Sequence, residues 1–384
     1  MPAKRYLVTP GPTPVPPEVV AAMSAPMLHH RGPEFQAIAD RVRARLGEVL
    51  RTAGDVLLFA SSGTGAMEAA VVNLCSPGDR VLVASAGRFG ERWAAIARSY
   101  GLDVVHLRYA WGEALIPGEI AARLEEAGGV RAVYVTHSET STGVVHDVES
   151  VAAAAKDAGA LVLVDAVSSL GAVPFDFDGW GIDVAVSGSQ KALSASPGLA
   201  FVAISAAGWA AHETATCPRF YFDWTAAKQA YDLNEPENPW TPAISVMQGL
   251  HAALRLYFQD GREARLARHE LLSRAVKEGI RAMGLDLFGE DPHRAWTVTA
   301  VRAPEGLDGN ELVARVRADH GVILAPGQGP LKGKVFRIGH LGYYEPLDIV
   351  RGLAALEMTL ESMGYPVKRG AAVSAAEGVF AGRD

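Results

Sequence analysis

"LVLVDAVSSLGAVPFDFDGWGIDVAVSGSQKAL", residues 161–193, holds two apolar runs, each followed by a single group able to carry chemistry: Asp165 directly after "LVLV" and Lys191 shortly after "DVAVSG". Runs this uniformly apolar, without polar alternation, read as strands buried on both faces. Upstream, "DVLLFAS", "DRVLVAS", "LDVVHLRY" and "VRAVYVTHS" alternate with the helical stretches "GAMEAAVVNL", "ERWAAIARSYG" and "PGEIAARLEEAG". "VESVAAAAKDAGA" leads into the first quoted run, and "GLAFVAIS" follows the second. This alternation of strand and helix implies a mostly parallel α/β sheet sandwiched by helices, with right-handed crossovers.

Outward from that centre, the chain of 384 residues with 49% hydrophobic content exceeds what a single core usually holds, so two domains are expected. Five prolines between Pro10 and Pro17 suggest an extended N-terminal arm over residues 1–18. A large domain is assigned to 19–260. Within it, the segment from about 206 to 245 is rich in aromatic residues, Asn and Pro, and reads as irregular structure and a candidate interface. A long amphipathic pattern from near Ile244 to about Ala282 should break around Gly261. A compact α+β domain is assigned to 261–384, ending in a loose tail, "KRGAAVSAAEGVFAGRD". The net charge of −7 gives no basic footprint for nucleic acid. No continuous apolar run suits a signal peptide or membrane span, and the widely separated Cys75 and Cys217 suit a reducing compartment, so a cytoplasmic address is expected.

Three features carry chemistry. "FASSGTGAMEAA", residues 59–70, takes a strand through a glycine turn into a helix, a geometry that offers backbone N–H groups to a phosphate. Its Gly63, Gly65 and Glu68 approach a dinucleotide fingerprint but put glutamate at the third glycine, and no acidic residue ends the next strand, which argues against a nicotinamide cofactor. Asp165 ends an apolar strand at the edge where open sheets place ligands; it can be a cap or loop aspartate, or a counter-charge to a cationic cofactor atom. Lys191 lies among small neutral residues with no counter-ion in its own stretch; it is either a surface lysine or an amine of lowered pKa suited to forming a Schiff base. A phosphate cradle after one strand, a carboxylate at the tip of a second and an amine after a third together match pyridoxal 5'-phosphate.

At these residues the chain resembles the class V aminotransferases of fold type I, in the branch of the alanine:glyoxylate and serine:glyoxylate (serine:pyruvate) enzymes. The motifs "TPGPTPVPPEV", "SSGTGAMEAAVVNL", "GRFGERW", "THSETSTGV", "LVDAVSSLG", "SGSQKAL" and "KVFRIGHLG" occur in order over about residues 7–360. The resemblance implies that Lys191 forms the Schiff base and Asp165 partners the pyridine nitrogen. It implies a phosphate site at Gly63, Thr64 and Gln190, an aromatic stacking partner in Phe89, an apolar partner in Val167 and a hydroxyl to the ring oxygen from Thr140. Thr241 would reach the phosphate from a neighbouring subunit, which implies a homodimer. Arg337 would grip the α-carboxylate of substrate, with Gly11 beside it.

Asn238 departs from the pattern, since mammalian-type relatives place tyrosine three residues before the interfacial threonine. "MLHHRGPEF" resembles the His-Arg pair that phosphoserine aminotransferases direct at a second anionic group, so Arg31 is either a substrate residue or part of a solvated basic loop. The expected reaction is transamination between alanine or serine and glyoxylate or pyruvate. Alternatives are a phosphoserine or aspartate aminotransferase, a cysteine desulfurase-like lyase, and a non-enzymatic nucleotide-binding module.

Overall fold

In the computed structural model, residues 4–233 and 238–382 are described. Seven strands form one sheet: β1 (Asp55–Phe59), β2 (Arg80–Ser85), β3 (Asp103–Arg108), β4 (Ala132–Thr136), β5 (Leu161–Asp165), β6 (Val184–Gly188) and β7 (Ala200–Ile204). Their spatial order is β1-β7-β6-β5-β4-β2-β3, and only β7 runs against the others. This is the α/β, mostly parallel sheet expected from the uniformly apolar runs. The central strands are apolar because both of their faces are covered, whereas the edge strand β3 carries Asp103, His106 and Arg108 and is only partly buried. Val133 and Val135 of β4 point into one core with Val162, Val164 and Phe201, while their neighbours Ala132 and Tyr134 point into another with Val81, Val83 and Leu163.

A further core belongs to an antiparallel sheet of β8 (Val298–Arg302), β9 (Ala325–Pro326) and β10 (Val335–Gly339), in the order β8-β10-β9, packed with helices that include Arg262–Ala282 and Pro346–Ser362. The helical stretch that begins at Ile244 is divided at Gly261, whose φ of 85° a side chain would strain, into Ile244–Asp260 and Arg262–Ala282.

Val8 is buried in this second core, the short strand Tyr6–Leu7 pairs with Val322–Ile323, and Gly339 N–H donates to the Val8 carbonyl at 2.9 Å. The N-terminal segment is therefore anchored on the second core before it crosses to the large sheet, where Thr13 N–H donates to the Gln190 carbonyl at 3.3 Å.

Two readings of the sequence need correction. The stretch 368–384 is not a loose tail over its described part: Ala371–Phe380 is a helix whose Ala372, Ala376 and Val379 are buried, and Glu357 accepts from the N–H groups of Gly370 and Ala372 at 2.9 Å each. Small residues spaced by three and four let that helix lie close against its neighbours. The segment 206–245 is not wholly irregular; Ser205 and Asp223 cap the helices Ala206–Thr214 and Trp224–Tyr231.

Candidate active site

The carboxyl ends of β1, β2, β4, β5 and β6 share one edge of the sheet, and above it lies a cavity of about 240 Å3. Gly11, Gly63, Thr64, Phe89, Asp165, Val167, Gln190 and Lys191 all line it, joined by Pro12, Ser62, Met67, Arg92, Ser138, Ser168 and Pro197. Larger hollows exist elsewhere, one of about 1200 Å3 beside Lys4 and Arg317.

Lys191 follows β6, and its Nζ donates to the Pro10 carbonyl at 2.6 Å. Burial, with Arg337 nearby, lowers its pKa to about 8, against the opposing pull of Asp165. The crossing arm comes so close that a Cβ on Gly11, at φ +125°, would stand 2.5 Å from Nζ, so only glycine leaves room for the amine. Asp165 is buried at the end of β5, and its Oδ1 accepts from Val167 N–H at 2.9 Å. Burial raises its carboxyl to about 6, and the nearby Glu139 adds to this while Arg92 and Lys191 oppose it.

The helix Gly63–Leu74 begins directly over the cavity. Ser62, in the capping position, makes no side-chain bond to it, which leaves the positive helix start open. A Cβ on Gly63 would stand 2.6 Å from Val167 Cγ2, so the backbone can approach the cavity only as glycine. The Gln190 side-chain oxygen is buried without a partner. Turning the amide over presents its N–H groups instead, so this end of the cavity suits an anion rich in acceptors. An open helix start, an unpartnered amide, a buried carboxylate and an enclosed amine are the donor and acceptor set that pyridoxal phosphate requires.

Thr140 and Arg337 stand just behind this lining. The Thr140 hydroxyl donates to Ser168 Oγ at 2.6 Å, and Ser168 lines the cavity. Arg337, in β10, donates from Nη1 to the Thr140 carbonyl at 3.0 Å and from Nε and Nη2 to the Pro326 carbonyl at 3.2 and 2.9 Å. Burial lowers its pKa to about 10, which leaves it cationic at neutral pH. Thr241 and Arg31 do not line this cavity; both are exposed. Glu68 accepts a hydrogen bond from the Tyr100 hydroxyl and is not part of the lining.

Two residues escaped sequence reasoning. Arg92 lines the cavity with its guanidinium 4.7 Å from the centre of the Phe89 ring. Glu139 is buried behind Phe89 and accepts from the N–H groups of Phe89 and Gly90 at 2.9 and 3.0 Å. Burial raises its pKa, although the Ser141 hydroxyl and three backbone N–H groups pull it down. A carboxylate three positions past a fully apolar strand was the available signal for Glu139; an arginine at i+3 from Phe89 was the signal for Arg92.

A family model described as "Aminotransferase class-V" matches residues 5–330. The chain is 41% identical to the "Soluble hydrogenase, small subunit" of Synechococcus sp. (strain PCC 6716), over 98% of each chain. It is 38% identical to the "L-aspartate--glyoxylate aminotransferase" of Paracoccus denitrificans (strain Pd 1222), over 98% of this chain and 96% of that one. The solved ureidoglycine-glyoxylate aminotransferase of Bacillus subtilis superposes with a TM-score of 0.95 over 99% of both chains at 31% identity. Fold and site define a pyridoxal-phosphate-dependent enzyme of fold type I. The chain belongs to the class V aminotransferases.

No helix of the described residues is long and apolar enough to cross a membrane.

Proposed function

We propose that this aminotransferase moves an amino group from alanine or serine to glyoxylate or pyruvate, with pyridoxal phosphate held on Lys191. The convergence of Lys191, Asp165 and an open helix start on one cavity carries the reading. The bound cofactor supplies a carbonyl carbon conjugated to a protonatable ring, which draws electrons away from the substrate's α-carbon. Asp165 holds a proton on the ring nitrogen, and its ionised form dominates above about pH 6. Lys191, with a pKa near 8, is poised both to bond the cofactor and, once released, to carry the α-proton.

Backbone N–H groups at Gly63 and Thr64, with the Gln190 amide, take the phosphate. Phe89 and Val167 would bracket the ring, and the Thr140 hydroxyl, which donates to Ser168 Oγ, would turn to the ring oxygen. Three Arg337 N–H bonds go to backbone carbonyls, which leaves two of its five donors for a substrate carboxylate. A homodimer completes the site by bringing Thr241 from a second subunit. The exposed Phe220 and Tyr221, packed against Trp240 beside it, suit such an interface.

Glyoxylate in the names of the Paracoccus and Bacillus proteins supports that acceptor. The first name also keeps an acidic donor in view, with Arg31 as its partner across the subunit interface. A desulfurase-like lyase lacks a reactive thiol: burial raises both Cys75, to about 12, and Cys217. The test is a panel of alanine, serine, aspartate and phosphoserine with glyoxylate and pyruvate, run on wild type and Arg31→Ala. Alanine and serine should be turned over best and equally by both proteins. Preference for acidic donors, lost in Arg31→Ala, would replace the proposed substrates.

A further inference from the structure

Arg92 has no role in the assignments above, yet its side chain faces the cavity. Among the described residues it forms no ion pair, unlike Arg80, Arg131 or Arg265, each of which meets a carboxylate. Its contacts are instead two. The guanidinium lies 4.7 Å from the centre of the Phe89 ring, one turn earlier on the helix Arg88–Ser99, and Nη1 donates to Thr64 Oγ1 at 2.8 Å. Thr64 is the second residue of the helix whose uncapped start faces the cavity.

A hydroxyl has one proton and two lone pairs. With a lone pair engaged by the cation of Arg92, the Thr64 proton turns away from the guanidinium and is free for an acceptor in the cavity. Without that donor, a threonine in the first turn of a helix can turn its proton back onto a nearby backbone carbonyl. Phe89 seats the guanidinium so that it reaches Thr64. We propose that Arg92 is a positioning residue: seated on Phe89, it sets the direction of the Thr64 hydroxyl so that this hydroxyl donates to the cofactor phosphate. The inference rests on pyridoxal phosphate occupying this cavity. It assigns to an unpaired arginine the task of orienting a neutral donor.

The test titrates ligand-free wild type, Arg92→Met, Thr64→Val and the double variant with pyridoxal phosphate and with pyridoxal, which lacks the phosphate. Each single substitution should weaken pyridoxal phosphate binding about tenfold and pyridoxal binding by clearly less, and the double variant should be no weaker toward pyridoxal phosphate than either single one. Multiplying losses, or an equal loss for pyridoxal, would overturn the proposal. Should Arg92→Met fail to fold, Arg92→Lys is read the same way, since its single ammonium cannot hold both the ring seat and the hydroxyl. Wild type that shows no saturable binding of pyridoxal phosphate would instead refute the underlying placement of the cofactor.

Discussion

Two helices start at the same edge of the large sheet, one after β1 and one after β2, and they treat their positive ends in opposite ways. The helix Arg88–Ser99 receives a carboxylate from within the chain: Glu139 accepts the N–H groups of Phe89 and Gly90. The helix Gly63–Leu74 receives none, because Ser62 in its capping position makes no bond to it. Both starts carry the same dipole and the same unsatisfied donors. The first is closed by the protein's own anion and becomes a rigid platform for Phe89. The second stays open to an anion from outside. Where an α/β sheet offers several helix starts to one cavity, the start without an internal anion is the one that selects the ligand.

The contrast can be broken from either side. The largest effect is expected at the closed start. Glu139→Ala leaves the N–H groups of Phe89, Gly90 and Ser141 without their acceptor and a space beneath Phe89, so urea unfolding should show a loss of about 2–4 kcal/mol. Unchanged stability would mean that the buried carboxylate is not what closes that helix.

At the open start the opposite change is informative. Ser62→Asp supplies an internal cap. The ligand-free protein should gain about 0.5–1 kcal/mol, while affinity for pyridoxal phosphate falls about tenfold or more through competition and like-charge repulsion. Equal affinity in the variant would show that the phosphate binds elsewhere.

A third effect concerns the groups between the two starts. Asp165 must be ionised and Lys191 neutral to capture the cofactor, and their pKa values stand at about 6 and about 8. The rate of cofactor incorporation should therefore climb with pH, more steeply below about 6 than between 6 and 8, and level off above about 8. A rate that is flat from pH 6 to 8 would contradict the lowered amine.

How much of this was legible in the sequence follows from the range of each interaction. The mostly parallel sheet was readable because β-branched, fully apolar runs alternate with helical stretches, a purely local signal. Asp165 and Lys191 stood out because each is the first strongly functional group after such a run. Glu139 and Arg92 did not, since their meaning depends on partners distant in sequence: Glu139 lies about fifty residues from the helix it closes, and Arg92 is 28 residues from Thr64. The C-terminal helix was missed for a related reason. Alanines and a serine in "GAAVSAAEGVF" form no strong apolar stripe, and their helix is held by packing and by Glu357 rather than by its own pattern. Thr241 and Arg31 stand outside the cavity, and only the resemblance had drawn them to the site.

The central claim is that Lys191 is the residue to which the cofactor is joined. Reduction of the holoenzyme with borohydride, followed by proteolysis and mass spectrometry, measures this directly. A phosphopyridoxyl group on the peptide that contains Lys191, and on no other peptide, is the predicted result. Modification of a different lysine, with Lys191 recovered free, would contradict the account.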